Sequence, residues 1–460
     1  MNKLAERIYQ KSPVFVQNLL VSGEGLRIRR TRYGGNYRSI EEAALSRWAL
    51  SKREIWELQG QRLQLHLRNA RGSEYWREAF DQYKVNTEGS DPFSEIAKLP
   101  VLEKATVRRE RDRIINRFVP SDKLRWRHTS GTTGSSLTFP ETLDAEREQW
   151  AVWWRYRYAL GITRDTWSGH FGGRTIVNSN TVSAPYWRLN IPGKQVLFSA
   201  YHLTSASAGA YVEQLRRRKI TWMHGYPSFI AKLAEYGYAA RLDPGDVCFV
   251  TTGAENLLVS QREKIEKWLG VRVRQHYGLA EAVVNMSERE DGAMRIDEDF
   301  SYVELVPITN DRRRSQCAIL GTNVSNAAFP LFRYNTGDQA SVDQDTNHWR
   351  RIVSIDGRKE DYVVMPNGAY VGRLDHIFKD LTNIVEAQIE QTSVEEIVIR
   401  VVKGVNFALP NDEKMLLDEF RARLGTGIRF RVHYVDKIER TAAGKLRFVI
   451  SSLAQGRIES

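Results

Sequence analysis

The stretch DVCFVTTGAENLLVSQREKIEKWLGVRVRQHYG, residues 246–278, constrains the fold more than any other part of this chain. An apolar run at 247–251 breaks at a glycine turn, a helical pattern covers 261–269, Gly270 stops it, and a second strand pattern follows at 271–275. Ser260 and Glu263 have the spacing of a capping box for that helix. Short apolar runs alternate with helical segments in the same way from about 125 to 345. Strands alternating with helices predict an α/β sheet with helices packed on its faces.

The flanks read differently. Residues 40–85 carry helical periodicity with charged faces, and Leu45, Trp48, Leu50, Ile55 and Leu58 recur at spacings that suit one buried stripe. Near 350 a dense charge cluster, DGRKED, leads into a Pro-Asn-Gly turn. Beyond it come a strand at 395–402, a helix NDEKMLLDEFRARL stopped by Gly425, and a strand at 428–435. This is the pattern of a separate α+β domain. The expected organisation is a large domain over 1–357, with a helix-rich leader to about 100, and a small domain over 358–460.

Composition removes several classes. At 460 residues and 42% apolar content the chain can bury a large core, and its 27% charged residues are spread along the length. No run of about 18 apolar residues exists, so a membrane-spanning helix is not expected. The opening 25 residues lack the uninterrupted apolar segment of a signal peptide, and a cytoplasmic protein is the expectation. Cys248 and Cys317 both sit in strand-like apolar runs and are expected to be buried and reduced. The nine histidines include no HExxH pair, so no transition-metal site is expected. The net charge of +12 comes from short groups such as RIRRTR at 27–32 and RRERDR at 108–113, which match no nucleic-acid module. A solvated basic surface accounts for them, and nucleic acid is not an expected partner.

The chemistry concentrates in short motifs. In HTSGTTG, residues 128–134, Gly131 and Gly134 let backbone N–H groups turn inward, while Ser130, Thr132 and Thr133 add hydroxyl donors. Such a loop can wrap an anionic oxygen cluster without a fixed cation. By itself, a Ser/Thr/Gly surface turn has the same composition. The motif is followed in order by HGYPS (224–228), TTGAEN (251–256), QHYGLAEA (275–282), LFRYNTGD (331–338), DGRKEDYV (356–363) and ERTAAGKLR (439–447). With these in place the chain resembles the adenylate-forming superfamily of acyl- and aryl-CoA ligases, luciferases and nonribosomal-peptide adenylation domains. Within it the chain is most similar to the phenylacetate–CoA ligase branch, and there to CapK-type proteins encoded with capsular or exopolysaccharide genes. IYQKSPVFVQNLLVSGEGLRIRRTRYGGNYR and YGLAEAVVNMSE carry that narrower likeness.

The resemblance implies a large adenylate-forming domain of sheets and packed helices with a small, mobile α+β C-terminal domain. It implies ATP and Mg2+, a small carboxylic acid as substrate, and coenzyme A or another acyl acceptor; homodimers occur among the relatives. Thr129, Ser130, Gly131, Thr132, Thr133 and Gly134 would hold the triphosphate. Relatives often continue Pro-Lys, where this chain has Ser135-Ser136, so a cation for the β- and γ-phosphates is missing. Gly253, Ala254, Glu255 and Asn256 would cover adenine, with Tyr277 and Gly278 against its face; a turn that merely leads a helix reads the same. Glu281 would bind magnesium. The Ser or Thr usual before it is Ala280, which removes a hydroxyl contact to the α-phosphate unless Ser287 or water replaces it.

Asp338 would accept both ribose hydroxyls, Arg358 would contact ribose or phosphate, and Glu360 would be the hinge. A surface salt bridge is the plain alternative for Asp338 and Arg358. Lys445 would enter the site from the small domain and bridge carboxylate and α-phosphate as they approach. His224 would sit beside the substrate carboxylate, or serve as a satisfied core histidine. Trp167, His170, Phe171, Tyr201 and His202 come from segments that line the acyl pocket in relatives. The implied reaction is acyl-AMP formation followed by transfer to a thiol, a sugar amine or hydroxyl, or a carrier. A non-catalytic nucleotide-binding scaffold would fit Ser135-Ser136, Ala280 and Glu360 instead.

Overall fold

The computed structural model describes residues 8–129, 137–308, 316–342, 350–356, 362–372, 374–378, 381, 383–439 and 448–455. Its frame is a sheet of twelve strands. Their order is Ser301–Pro307, Gln316–Asn323, Tyr334–Val342, Arg351–Asp356, Met294–Ile296, Asn285–Glu288, Val273–Gly278, Phe249–Thr252, Trp222–Gly225, Ser168–Gly172, Gln195–Ser199 and Trp187–Asn190. From Val273–Gly278 to Gln195–Ser199 the neighbours run parallel, and on either side of that block they run antiparallel. Val273–Gly278 is the joint between the two halves. Its start pairs parallel with Phe249–Thr252, Val273 opposite Val250, and its end pairs antiparallel with Asn285–Glu288, Tyr277 opposite Met286.

Strand alternation sorts the side chains of the parallel block. Phe171, Met223 and Val250 enter one core with Leu215, Ile230, Leu233 and Ile265 from the helices Ala208–Arg217, Pro227–Ala239 and Val259–Leu269. The intervening residues His170, His224 and Thr251 lie in register with one another, and helix Leu143–Ala159 brings Trp154 against Trp222 on that side. Helices on both faces are what the alternating pattern predicts. Gly225 ends its strand at φ +151°, where a Cβ would meet the Phe171 carbonyl oxygen at 2.0 Å. The HGYPS turn therefore needs glycine at that position.

Several local expectations shift. The helix expected at 261–269 begins at Val259, so Ser260 falls inside its first turn and does not cap it; Gln261 Oε1 instead accepts the Leu258 N–H at 3.1 Å. Its strands are Phe249–Thr252 and Val273–Gly278, each displaced towards the C-terminus from 247–251 and 271–275. Cys248 thus precedes its strand and is exposed, contrary to expectation, whereas Cys317 is buried. The stripe expected over 40–85 is interrupted, because Ser51 starts a new helix: its Oγ accepts from Glu54 N–H at 3.3 Å while Glu54 Oε2 accepts from Ser51 N–H at 2.7 Å. Tyr37–Ser46 and Lys52–Ala70 consequently present different faces, and Leu45 is exposed while Ile55 is buried.

Trp48 takes another role. Arg289 and Arg155 lie over its ring, with Cζ 3.8 and 4.8 Å from the centroid. Arg155 is fully buried and bonds Asp299 Oδ2 at 2.8 Å, Asp299 Oδ1 at 2.9 Å and Asp297 Oδ1 at 3.0 Å. Arg47 adds a 2.7 Å bond to Asp299 Oδ2. The network ties the leader to the sheet. Burial pushes the Asp299 carboxyl up, but Arg155 and Arg47 more than offset it and hold the group well below the ordinary range. A depressed carboxyl contributes stability that is present above its unfolded value of about 3.9 and is lost as pH falls below it. Asp299→Ala, which leaves Arg155 buried and short of a partner, is expected to cost about 3–5 kcal/mol at pH 7. The deficit should shrink towards pH 3, as read from urea midpoints at the two pH values.

The C-terminal residues build a four-stranded sheet ordered Arg429–Tyr434, Glu396–Lys403, Ile384–Ser393, Val449–Ser451. Helix Asn411–Leu424 stops at Gly425, φ +84°, and packs Leu416 and Phe420 on Ile389 and Ile399. This is the expected α+β unit, its strands within a residue or two of 395–402 and 428–435. Tyr201 packs into the same core, and its carbonyl accepts from Asn367 Nδ2 at 3.2 Å. The proposed boundary at 357/358 lies outside the described residues. Among the described residues no helix is long and apolar enough to cross a membrane.

Candidate active site

At the carboxyl ends of Phe249–Thr252 and Val273–Gly278 lies a cavity of about 770 Å3. Ligands of open α/β sheets bind at such strand ends. Its wall brings together Thr129, Ala254, Glu255, Asn256, Tyr277, Gly278, Ala280, Glu281 and Asp338, drawn from four separate motifs. Gly253 stands at the head of the turn, its N–H donated to the Gly225 carbonyl at 3.2 Å. Ser130, Gly131, Thr132, Thr133, Gly134, Arg358, Glu360 and Lys445 lie outside the described residues.

Two turns at the cavity hold residues in the left-handed region without being glycine: Ala254 at φ +67° and Ala282 at φ +58°. Such positions persist only where the surroundings impose them, and they concentrate at functional sites. In the first turn the side chains are engaged. Glu255 Oε2 accepts the Ser228 N–H at 3.3 Å, and Asn256 Nδ2 donates to the Ile355 carbonyl at 3.0 Å.

The second turn places two carboxylates. Tyr277 donates its hydroxyl to Asp338 Oδ2 at 2.8 Å, and burial followed by the Asp338 charge raises that phenol well above its usual range. Asp338 is further fixed by its own N–H, donated to Thr336 Oγ1 at 3.1 Å. Glu281, 3% exposed, accepts from Tyr334 Oη at 3.1 Å on Oε1 and lines the cavity. No cluster of three or more metal-ligating side chains exists among the described residues. A single buried carboxylate suits magnesium, which keeps waters and takes phosphate oxygens as its other ligands. Ser287 does not replace the hydroxyl missing at Ala280, since its Oγ is turned to Asp297 Oδ2 at 3.3 Å and is fully buried.

Arg125–His128 and Thr138–Glu141 pair as an antiparallel hairpin, and residues 130–136 between them lie outside the described residues. The two residues that flank them are stapled: Thr129 N–H donates to the Leu137 carbonyl and Leu137 N–H to Thr129 Oγ1, both at 2.9 Å. In the hairpin, burial pushes the Glu141 carboxyl up to about 7 despite Arg127. Arg127 Nε is 2.8 Å from Glu141 Oε1 but off the hydrogen-bonding direction, which leaves that oxygen without a bond. A carboxyl raised above its unfolded value of about 4.3 contributes stability present below that pH and lost as pH rises through 7. Glu141→Gln is therefore expected to stabilise the protein by about 1–2 kcal/mol at pH 8 and to be near neutral at pH 5. Calorimetric melts at the two pH values check this.

His224 is not on the cavity wall. Its Nδ1 lies 2.8 Å from Thr251 Oγ1, its Nε2 lies 3.5 Å from Arg157 Nη2, and burial lowers its pKa well below the usual value. His276 does line the cavity and is held near 4, again chiefly by burial. Of the segments expected around the acyl chain, Phe171 stacks on Phe198 in the core, and Tyr201 donates to the Gly173 carbonyl at 3.2 Å. His202 bridges Ser199 Oγ and the Asn178 carbonyl at 2.8 and 3.0 Å. Trp167 packs at the edge of that core. Each of these four makes contacts within the fold, and His170 turns to His224, ring centroids 5.6 Å apart.

Sequence reasoning missed Lys104, which joins Thr129 on the cavity wall. Arg262 and Arg274 also line the wall: Arg262 bonds the Val273 carbonyl at 2.6 Å and Glu288 at 3.0 Å, and Arg274 bonds the carbonyls of Arg289 and Glu290.

With this geometry in place, comparison with known proteins shows a likeness to CapK. Residues 363–452 match the model of the CapK C-terminal domain. Over 457 residues the chain is 26% identical to protein CapK of Staphylococcus aureus, covering 97% of this chain and 99% of that one. The chain is a homologue of CapK. Among solved structures it is similar to 2-hydroxyisobutyryl-CoA ligase in complex with 2-HIB-AMP and CoA in the thioesterification state, with TM-score 0.56, 19% identity, and 88% and 90% of the two chains covered. The same ligase in the postadenylation state with R3-HIB-AMP gives TM-score 0.51, 18% identity and coverage of 85% and 88%. This CapK homologue thus has the adenylate-forming fold with its small C-terminal domain, and Lys445 falls within the matched CapK segment.

Proposed function

We propose that the chain is an ATP- and Mg2+-dependent carboxylic acid ligase. A carboxylate oxygen attacks the α-phosphorus in line, the α–β bridging bond breaks, and acyl-AMP and pyrophosphate result. The acyl group then passes to a thiol, that of coenzyme A, with release of AMP. The observation that carries this reading is the single cavity on which Thr129, Tyr277, Glu281 and Asp338 meet.

Asp338 takes both ribose hydroxyls, and Tyr277 fixes its carboxylate by the 2.8 Å bond while presenting its ring to adenine. Glu281 would hold Mg2+, which when bound would supply positive charge against the phosphates and the departing pyrophosphate. Backbone N–H groups of 130–134 cradle the triphosphate. Lys445 bridges the two anions as they meet, and rotation of the small domain about Glu360 then withdraws it for transfer. The similarity to CapK favours an acyl group destined for a surface polysaccharide, with a sugar amine or hydroxyl as the alternative acceptor.

The cation absent at Ser135-Ser136 is supplied by Lys104. Lys104→Ala is expected to raise KM for ATP roughly tenfold with kcat changed less than about threefold, because a phosphate contact made equally in ground and transition states affects binding alone. Steady-state kinetics at varied ATP measure this. Ala280 favours a scaffold as the second reading, since Ser287, turned to Asp297, does not replace the hydroxyl it lacks. Acid-dependent exchange of labelled pyrophosphate into ATP separates the two: exchange with any acid supports the ligase, and none across a broad panel, with ATP bound, leaves the scaffold.

A further inference from the structure

Helix Leu143–Ala159 carries three arginines, two of which have evident structural partners. Arg147 bonds Asn36, Thr31 and Asp144; Arg155 holds Asp297 and Asp299. Arg157 is different. It is 8% exposed, yet no carboxylate pairs with it among the described residues, and its polar side-chain contact is the 3.5 Å approach to His224 Nε2. Its guanidinium rests among indoles instead, Cζ lying 4.8 Å from the Trp154 ring, 5.3 Å from Trp222 and 5.9 Å from Trp150.

The unsatisfied groups around it converge. His170 stands beside His224 in the strand register, and its buried Nδ1 has no hydrogen-bond partner; neither has the buried Trp150 Nε1, an obligate donor. Burial without an anion depresses the pKa of the Arg157 guanidinium. Aromatic faces compensate a desolvated cation in part, but an unpaired buried charge remains costly. A guanidinium, an indole N–H and neutral imidazoles, with no protein anion among them, form a site that lacks its own counter-charge. The site adjoins the nucleotide cavity through His276, which lines that cavity and packs its ring 5.4 Å from Trp153 of the same helix.

We infer that the acid adenylated here carries a second anionic group, a carboxylate or a phosphate, which Arg157 holds among Trp150, Trp154, Trp222, His170 and His224. The inference rests on the ligase reading for the reacting carboxylate. That carboxylate is not the group Arg157 holds, because Arg157 is absent from the wall that carries Glu281 and Asp338.

The test uses the full chain and acids matched in length: succinate with butyrate, glutarate with pentanoate, adipate with hexanoate, and 3-phosphoglycerate with glycerate. Pyrophosphate exchange and thermal stabilisation are read for each. At least one dianion is expected to exceed its matched partner roughly tenfold in kcat/KM, and Arg157→Met should erase that preference while KM for ATP stays within about twofold. Arg157→Lys, which keeps the charge, should retain part of the preference and serves if the methionine variant does not fold. The dicarboxylate and phosphate arms tell which anion is taken. Monoanions preferred in every pair, or equal loss of both members in Arg157→Met, would overturn the inference. Should no acid drive exchange while dianions alone raise the melting temperature of the wild type and not of Arg157→Met, the anion site stands and the ligase reading falls. No effect of any dianion in either assay overturns the anion site.

Discussion

Asp338→Ala is expected to raise KM for ATP by about two to three orders of magnitude while kcat falls far less. A carboxylate that accepts two ribose hydroxyls makes two charge-assisted hydrogen bonds, each worth about 1.5–3 kcal/mol. Both exist in the bound nucleotide before chemistry begins, so their loss weakens ground and transition states alike. Tyr277→Phe provides the control. It removes the 2.8 Å bond to Asp338 Oδ2 but leaves the carboxylate and the ring in place. A change of about fivefold or less is expected there, since one neutral donor is removed from a charged acceptor that a ribose hydroxyl or water can then reach. Equal losses in Asp338→Ala and Tyr277→Phe would place the importance in the pair itself, not in ribose recognition.

Lys445→Ala is expected to act on kcat. Attack of a carboxylate on the α-phosphate drives two anions together, and an ammonium that touches both is worth most at the transition state. Loss of about a hundred- to a thousandfold in acid-dependent pyrophosphate release follows, with KM for ATP nearly unchanged. Transfer from preformed acyl-AMP should persist, because the lysine is withdrawn by then. Single-turnover assays of the two half-reactions resolve this. If both halves drop together, the rotation about Glu360 is wrong.

How much of this was legible in the sequence depends on the range of the interaction. The strand–turn–helix unit at 246–278 was readable because Gly270 and the apolar runs act locally, although the helix start moved when Gln261 rather than Glu263 reached back to the cap. The break at Ser51 was also local, but continuous helical periodicity on both sides concealed it, and Leu45 was misplaced. Cys248 was misjudged because the strand starts at Phe249, two residues later than the apolar run, which leaves Cys248 before it and exposed.

The cavity was legible through residue type, because carboxylates, small hydroxyls and glycines at marked motifs converge there. Its internal wiring was not. The Tyr277–Asp338 bond spans 61 residues and depends on the strand order. The engagement of Glu255 by Ser228 and of Asn256 by Ile355 likewise needed the fold. Lys104 sits in LEKAT, where nothing distinguishes it from a solvated lysine. Arg157 in WWRYRYA differs from Arg155 only by two positions, and packing alone decides that one has carboxylates and the other none.

The placement of the nucleotide is tested most directly by a crystal structure of the full chain with ATP and Mg2+. The account predicts the ribose hydroxyls on Asp338, the metal on Glu281, and phosphates over the hairpin loop that follows Thr129. Nucleotide bound elsewhere, with that wall empty, would contradict it.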